Sequence, residues 1–238
     1  MGPERGGMFK LIHMKNVSKR YDNGSIALSN INIDINKGEF VFIVGPSGAG
    51  KSTFIKMIFR EVLPTEGELI VNGRNTLAMS ASDVPYLRRG LGIIFQDYRL
   101  LPEKTVYENV AFAMQVIEAP RREMQKRVNS VLDLVGLNDK LKSFPSQLSG
   151  GEQQRVAIAR AIVNNPMIVI ADEPTGNLDP ETSWDIMRIF ERINKSGTTI
   201  VMATHDKTIV DTMKKRVIAI ENGRIIRDEV KGAYGYED

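Results

Sequence analysis

The sequence predicts an α/β fold: a mostly parallel β-sheet flanked by helices, preceded by an N-terminal antiparallel β portion and carrying an inserted helical lobe. Three observations predict it. The apolar runs FVFIV (40–44) and MIVIA (167–171) are short and bounded by turn residues, as buried strands are. After residue 167, strand-like and helix-like stretches alternate, the pattern that places helices on the faces of a parallel sheet. Between Thr105 and about Val163 the pattern turns helical instead, which reads as a lobe set into that core.

The elements follow in order. Leu11-Ile12-His13-Met14 and Ile31-Asn32-Ile33-Asp34-Ile35 alternate in polarity, with turns at Asp22-Asn23-Gly24 and Asn36-Lys37-Gly38, so they predict antiparallel strands that feed the buried FVFIV strand. A Gly-rich loop comes next, then a helix over about 51–61. Pro64-Thr65-Glu66-Gly67 turns the chain into a strand from Glu68 to Val71. Pro120 suits the first turn of a helix. Val128, Val131, Leu132 and Val135 then form one apolar stripe, which Gly136 ends. The second half predicts the MIVIA strand, a helix over about 180–194, a strand from Thr199 to Ala203, a helix near 206–215 and a strand from Val217 to Ile220. Asn222-Gly223 is a hairpin turn before Arg224-Ile225-Ile226. One domain is expected over 9–228, with the helical lobe over about 97–165, a disordered leader or expression remnant at 1–7 and a C-terminal tail at 229–238.

Composition narrows the function classes. The 238 residues carry 32 basic and 29 acidic side chains, too even a balance to argue for a nucleic-acid partner and compatible with transient contact with an anionic membrane. The absence of cysteine excludes disulfides, thiolate metal sites and a cysteine nucleophile. No apolar run approaches the roughly 20 residues that a membrane-spanning helix needs, and MGPERGG has no apolar core of a signal peptide.

Three motifs carry chemistry. Residues 45–52, GPSGAGKS, match G-x-x-x-x-G-K-[ST] between a buried strand and a helix, which is the setting of a phosphate-binding loop. Gly45, Pro46, Ser47, Gly48, Ala49 and Gly50 present backbone to the phosphates, and Thr53 follows at the helix start. Lys51 reaches the β- and γ-phosphates, and the Ser52 hydroxyl ligates Mg²⁺. In IVIADEPT (168–175) an apolar strand ends in two carboxylates. Asp172 suits Mg²⁺ coordination, and Glu173, beyond the metal, suits polarising a water for attack on a γ-phosphate. LSGGEQQR (148–155) has Ser149 as a helix N-cap, with Gly150 and Gly151 at the helix start. It is either a plain capped helix or a second anion site, and the latter makes sense facing the γ-phosphate of another copy.

Together with ADEPTGNLD (171–179) and ATHD (203–206), these motifs resemble the ATP-binding cassette ATPases over residues 9 to about 228, LSGGEQQR being that family's signature. The resemblance implies Mg²⁺-dependent ATP hydrolysis by a head-to-tail homodimer that sandwiches two ATP molecules. It also implies roles. Tyr21 stacks on adenine, or is only a strand-end tyrosine. Gln96 senses Mg²⁺ and the attacking water. Asp179 lies in a loop crossing the dimer interface, and His205 contacts the γ-phosphate. His13 lacks such a context and reads as structural.

Residues 84–110 and 143–166 resemble the cell-division branch of the family. That implies an ATPase peripheral to the cytoplasmic face of the cell membrane, held by an integral membrane partner that regulates cell-wall hydrolases. The alternative is the ATPase of a lipoprotein-release or macrolide-export transporter, since those share ADEPTGNLD. A soluble cassette ATPase acting on DNA or ribosomes would usually carry two cassettes or a long coiled-coil insertion, and this chain has neither. In GIIFQDYRLLPEKTVYENV (92–110) the segment from Gln96 to Leu101 is the expected docking region for the membrane partner. Tyr98, Arg99, Leu100 and Leu101 either form that socket or pack the lobe.

Overall fold

The computed structural model describes residues 10–234. The expected leader (1–7) and the last residues of the expected tail (235–238) lie outside the described residues. Two sheets organise the chain. A four-stranded antiparallel sheet contains β1 (Lys10–Arg20), β2 (Ile26–Asn36), β4 (Glu66–Val71) and β5 (Arg74–Asn75), in the order β2-β1-β4-β5. A six-stranded sheet contains β3 (Phe40–Val44), β6 (Leu91–Ile94), β7 (Ile168–Asp172), β8 (Thr199–Ala203), β9 (Arg216–Glu221) and β10 (Arg224–Glu229), in the order β10-β9-β3-β8-β7-β6. The run β9-β3-β8-β7-β6 pairs in parallel, and only the edge strand β10 joins antiparallel.

The two-residue period of the strands divides the core. On β3, Phe40, Phe42 and Val44 face one hydrophobic cluster, and Val41 and Ile43 face the other. The first cluster is covered by α3 (Val106–Gln115), α4 (Arg121–Leu134), α5 (Gly150–Ile162) and α6 (Pro180–Lys195). It runs unbroken from the sheet into the lobe, joining Phe42 and Ile200 to Val110, Met114, Val128 and Leu132. The second cluster lies between the two sheets and holds Phe54 and Met57 of α1 (Lys51–Ile58). Both strand faces are buried, which is why these strands read as continuous apolar runs.

Several boundaries differ from the sequence reading. The helix expected over about 51–61 ends at Ile58, because Arg60 takes a left-handed backbone (φ 56°) and its guanidinium donates to the carbonyls of Thr76 and Met79, both at 2.8 Å. A short helix α2 (Val84–Arg89) was not anticipated, although Pro85 in its first turn and Gly90 after it are helix punctuation. The helix expected near 206–215 is α7 (Lys207–Met213), closed by Lys214 in a left-handed conformation. The expected tail is not separate from the domain: Glu229 ends β10, and Gly232 is buried with its N–H donating to the Lys215 carbonyl at 3.1 Å. Among the described residues no helix is long and apolar enough to cross a membrane.

Parallel pairing brings the carboxyl ends of β3, β6, β7 and β8 to one edge, where α/β folds gather ligand sites. Those ends lead into Gly45, Gln96, Glu173 and His205.

Candidate active site

The loop from β3 to α1 is built around Gly45. Its φ is 145°, and a Cβ there would sit 2.1 Å from the Ile220 carbonyl oxygen on β9, so only glycine fits. The Lys51 Nζ donates to the carbonyls of Gly45 (2.7 Å) and Pro46 (3.0 Å), folding the ammonium back over the loop. Tyr21, just after β1, is brought to the same place: its hydroxyl lies 3.1 Å from Thr53 Oγ1 while part of its ring stays exposed. The ring therefore borders the loop with surface free for stacking.

Ser52, Gln96, Asp172 and Asn177 line one cavity of about 370 Å³ beside α1. Asp172 is half-buried there. Burial first, and the neighbouring Glu173 second, push its carboxyl above the ordinary value, while Lys56, Lys51 and a hydrogen bond from Ser52 oppose the shift. Among the described residues no three His, Cys, Asp or Glu cluster as a metal cage. A hydroxyl, one carboxylate and an amide oxygen are the hard, sparse donor set that suits Mg²⁺, which keeps waters and phosphates as its other ligands. Asn177 had no role in the sequence reading and joins the site only because the loop after β7 folds back.

Glu173 takes a left-handed backbone (φ 50°), which costs a non-glycine residue about 1 kcal/mol. Its N–H donates to the Ala203 carbonyl at 3.0 Å, so the end of β8 sets the turn. The carboxylate meets His205 Nδ1 at 2.8 Å. The two residues expected to handle the attacking water are thus adjacent, the histidine exposed and the glutamate tucked behind it.

Ser149 caps α5 in a reciprocal box: its Oγ accepts from the Glu152 N–H at 3.2 Å, and its own N–H donates to Glu152 Oε2 at 2.8 Å. These bonds hold the Glu152 carboxyl below its usual range. Gly151 is buried against α6, where a Cβ would lie 2.4 Å from Thr182 Cγ2. Asp179 caps α6 by accepting from the Thr182 N–H at 2.9 Å. Within one copy, then, Ser149, Gly151 and Asp179 have structural employment, and the first turns of α5 and α6 are locked together. His13 pairs with Asp34 across β1 and β2, as a structural histidine does.

Beyond Gln96 the loop is held by α5. Tyr98 and Arg99 are both left-handed (φ 57° and 46°), and Arg160 of α5 donates to their carbonyls at 2.8 and 2.7 Å. Tyr98 turns its hydroxyl toward Gly150, at 3.2 Å from where a Cβ would be, and Leu100 packs on the large core cluster. Neither lines the neighbouring groove. That groove, about 580 Å³, is lined by Phe95, Arg99, Leu101, Phe112, Val116 and Arg160, among others. Arg160 was missed as well; its signal is a lone charge within the apolar run VAIARAIV (156–163).

A site that offers donors to a phosphate chain and oxygens to a hard cation, on a parallel sheet with a helical lobe, defines a nucleotide-binding cassette. Residues 28–176 match the family model described as ABC transporter, and the chain belongs to that family. It is 61% identical over 228 residues to the cell division ATP-binding protein FtsE of Streptococcus pneumoniae serotype 2, covering 96% of this chain and 99% of the relative. It is 44% identical over 227 residues to FtsE of Escherichia coli, covering 95% and 100%. Among solved structures, the dimeric post-hydrolysis state of the ATP-binding cassette MJ0796, bound to ADP and Pi, superposes with a TM-score of 0.84 at 38% identity, covering 93% of this chain and 99% of that one.

The raised Asp172 carboxyl gives a testable sign. A carboxyl whose folded pKa lies above its unfolded value favours the folded state when protonated and penalises it once ionised. Asp172→Asn should therefore raise the melting temperature of the nucleotide-free protein at neutral pH. The gain should shrink as pH falls through the folded pKa and vanish below the unfolded value of 3.8. Thermal melts across pH check it.

Proposed function

We propose that this chain is the ATP-binding and ATP-hydrolysing subunit of a complex of the FtsE–FtsX type. In it, ATP-driven dimerisation at the cytoplasmic face of the membrane would act, through an integral membrane partner, on cell-wall hydrolases during division. The observation that carries the reading is the likeness to FtsE proteins over nearly the entire chain. A lipoprotein-release or macrolide-export motor would share the whole nucleotide site, so the identity of the partner separates the two readings.

The chemistry follows from the placement of the side chains. Lys51 leaves the Gly45 and Pro46 carbonyls for the β- and γ-phosphates, exchanging neutral acceptors for charged ones. Ser52, Gln96 and Asp172 would hold Mg²⁺, which when bound would supply positive charge to the phosphate oxygens. Glu173 polarises the attacking water, and His205, already beside it, orients that water and the γ-phosphate. Tyr21 stacks on adenine. A second copy, placed head to tail, would bring Ser149, Gly150 and Gly151 to the γ-phosphate and Asp179 to the seam; the dimeric state of the MJ0796 cassette supports the pairing of two copies.

The membrane partner's cytoplasmic helix is assigned to the groove beside Gln96. Phe112 and Val116 are 41% and 48% exposed there, and burying such surface is favourable by about 25 cal/mol per Å². Arg88, Arg89, Arg99 and Arg160 also line it and favour acidic or carbonyl-rich ends on that helix. Of the residues first weighed for the socket, Leu101 and Arg99 line the groove.

Two outcomes test the proposal. Glu173→Gln should lower turnover by roughly 10²–10⁴ and retain ATP binding, with dimers accumulating in Mg-ATP during sedimentation; near-normal turnover would remove Glu173 from the water's path. From membranes, the wild-type chain should co-purify with a four-span FtsX-like protein and Phe112→Asp should not, although this variant keeps its fold and basal ATPase. Capture of a substrate-transporting permease instead would favour the transporter reading.

A further inference from the structure

The loop after β7 separates two cavities. Asp172 and Asn177 line the cavity of the cation site, whereas Glu173, Thr175, Gly176 and Leu178 line a second cavity of about 280 Å³. The alternation follows from the left-handed Glu173 and from two turns that come after it. In these the Gly176 N–H donates to the Glu173 carbonyl and the Leu178 N–H to the Thr175 carbonyl, both at 3.1 Å. Helices α6 and α7 complete the second cavity, with Ser183 from one and Thr208 from the other. Three of its hydroxyl residues, Thr175, Ser183 and Thr204, are buried, and Thr208 is exposed and so stands where the cavity meets solvent. Thr204 Oγ1 accepts from the Asp206 N–H at 3.0 Å, which leaves its hydroxyl proton to donate. His205 meets Glu173 through its N–H (3.4 Å) and its Nδ1 (2.8 Å), and both contacts use Oε2. Oε1 is therefore the oxygen that can take a water.

We propose that this second cavity is a water chamber for hydrolysis: the hydroxyls of Thr175, Ser183, Thr204 and Thr208 hold water in it and pass the attacking molecule to Glu173. The proposal rests on the ATP-hydrolysis reading above. A cavity holds water when it is polar and roomy enough, and one water's share of the liquid is about 30 Å³, so this one has space for several. Its two carboxylates, Glu173 and Asp206, repel phosphate by their charge and leave a neutral guest as the better fit. Each turnover consumes one water. Two copies closed on ATP would exclude bulk solvent from the γ-phosphate, so a supply held beside Glu173 keeps the base served while the site is shut. Thr175, Ser183, Thr204 and Thr208 are positioning residues in this account, because they act on the water's place rather than on the nucleotide.

Full-length wild type is compared with Ser183→Ala, Thr208→Leu and Thr208→Ser. Fluorescent ATP-analogue titration gives Kd, quenched single-turnover reactions give the rate of bond cleavage, phosphate release is followed separately, and thermal melting reports folding. Ser183→Ala removes one buried hydroxyl, and Thr208→Leu puts apolar bulk at the mouth. Both should keep the wild-type Kd and slow single-turnover cleavage about three- to tenfold, the size of one hydrogen bond. Thr208→Ser, which restores the hydroxyl and the room, should recover most of the rate lost in Thr208→Leu. Should Ser183→Ala melt low, the exposed Thr208 pair decides alone. Cleavage at the wild-type rate in Thr208→Leu would overturn the proposal. Wild-type cleavage followed by slow phosphate release would also overturn it and make the cavity a product exit, and a raised Kd would overturn it by moving these residues to nucleotide binding. Absence of cleavage by the wild type itself would overturn the hydrolysis reading along with the proposal, and it is recognisable before any substitution is compared.

Discussion

The site depends on one point where the chain has no room to spare. Between β3 and the phosphate-binding loop, Gly45 passes so close to the Ile220 carbonyl that a single added carbon would overlap it, at 2.1 Å. That approach is possible because β3 and β9 are paired in register, Val44 opposite Ala219. The pairing holds because both strands are buried on both faces. Hydrophobic burial of a central strand thus places a polar loop, and parallel topology brings the ends of β6, β7 and β8 alongside it. Gln96, Asp172, Glu173 and His205 gather there as a consequence of strand order.

A second joint connects that edge to the lobe. Tyr98 and Arg99 hold consecutive left-handed conformations, which cost non-glycine residues about 1–2 kcal/mol each. Arg160 offsets the strain by donating to both carbonyls, and its own burial pulls the guanidinium below its ordinary pKa. The same helix α5 begins at Gly150, capped by Ser149, with Gly151 locked against Thr182. The loop carrying Gln96, the signature helix and the apolar groove are therefore tied by short bonds. Any change in the Gln96 loop must break Arg160's bonds or carry α5 along.

Much of this was legible because it is local. The phosphate-binding loop, the Ser149–Glu152 box and the Asn222-Gly223 turn (φ 47° and 74°) each follow from residues within a few positions of one another. The buried strands were legible because no polar residue interrupts them. What escaped depends on partners distant in sequence. The end of α1 is set by Arg60 reaching to Thr76 and Met79, and the backbone of Tyr98 and Arg99 by Arg160, some sixty positions away. Tyr234 reads as a residue of a short tail until Asp211 and Arg227 fix it against the sheet edge. Ser149 and Asp179 show the opposite difficulty. Each has a complete explanation as a helix cap within one copy, so the role between copies proposed for them is invisible in a single chain.

That role is the central claim: two chains share each ATP site, one giving the phosphate-binding loop and the other the signature helix. The most direct measurement is the ATPase rate of mixed dimers formed from Lys51→Ala and Ser149→Arg chains, each inactive alone. A mixed dimer places both lesions in one site and leaves the other intact. The account predicts that activity returns on mixing and that isolated Ser149→Arg chains still bind ATP. Activity that stays absent in verified mixed dimers, or loss of ATP binding by Ser149→Arg chains alone, would contradict it.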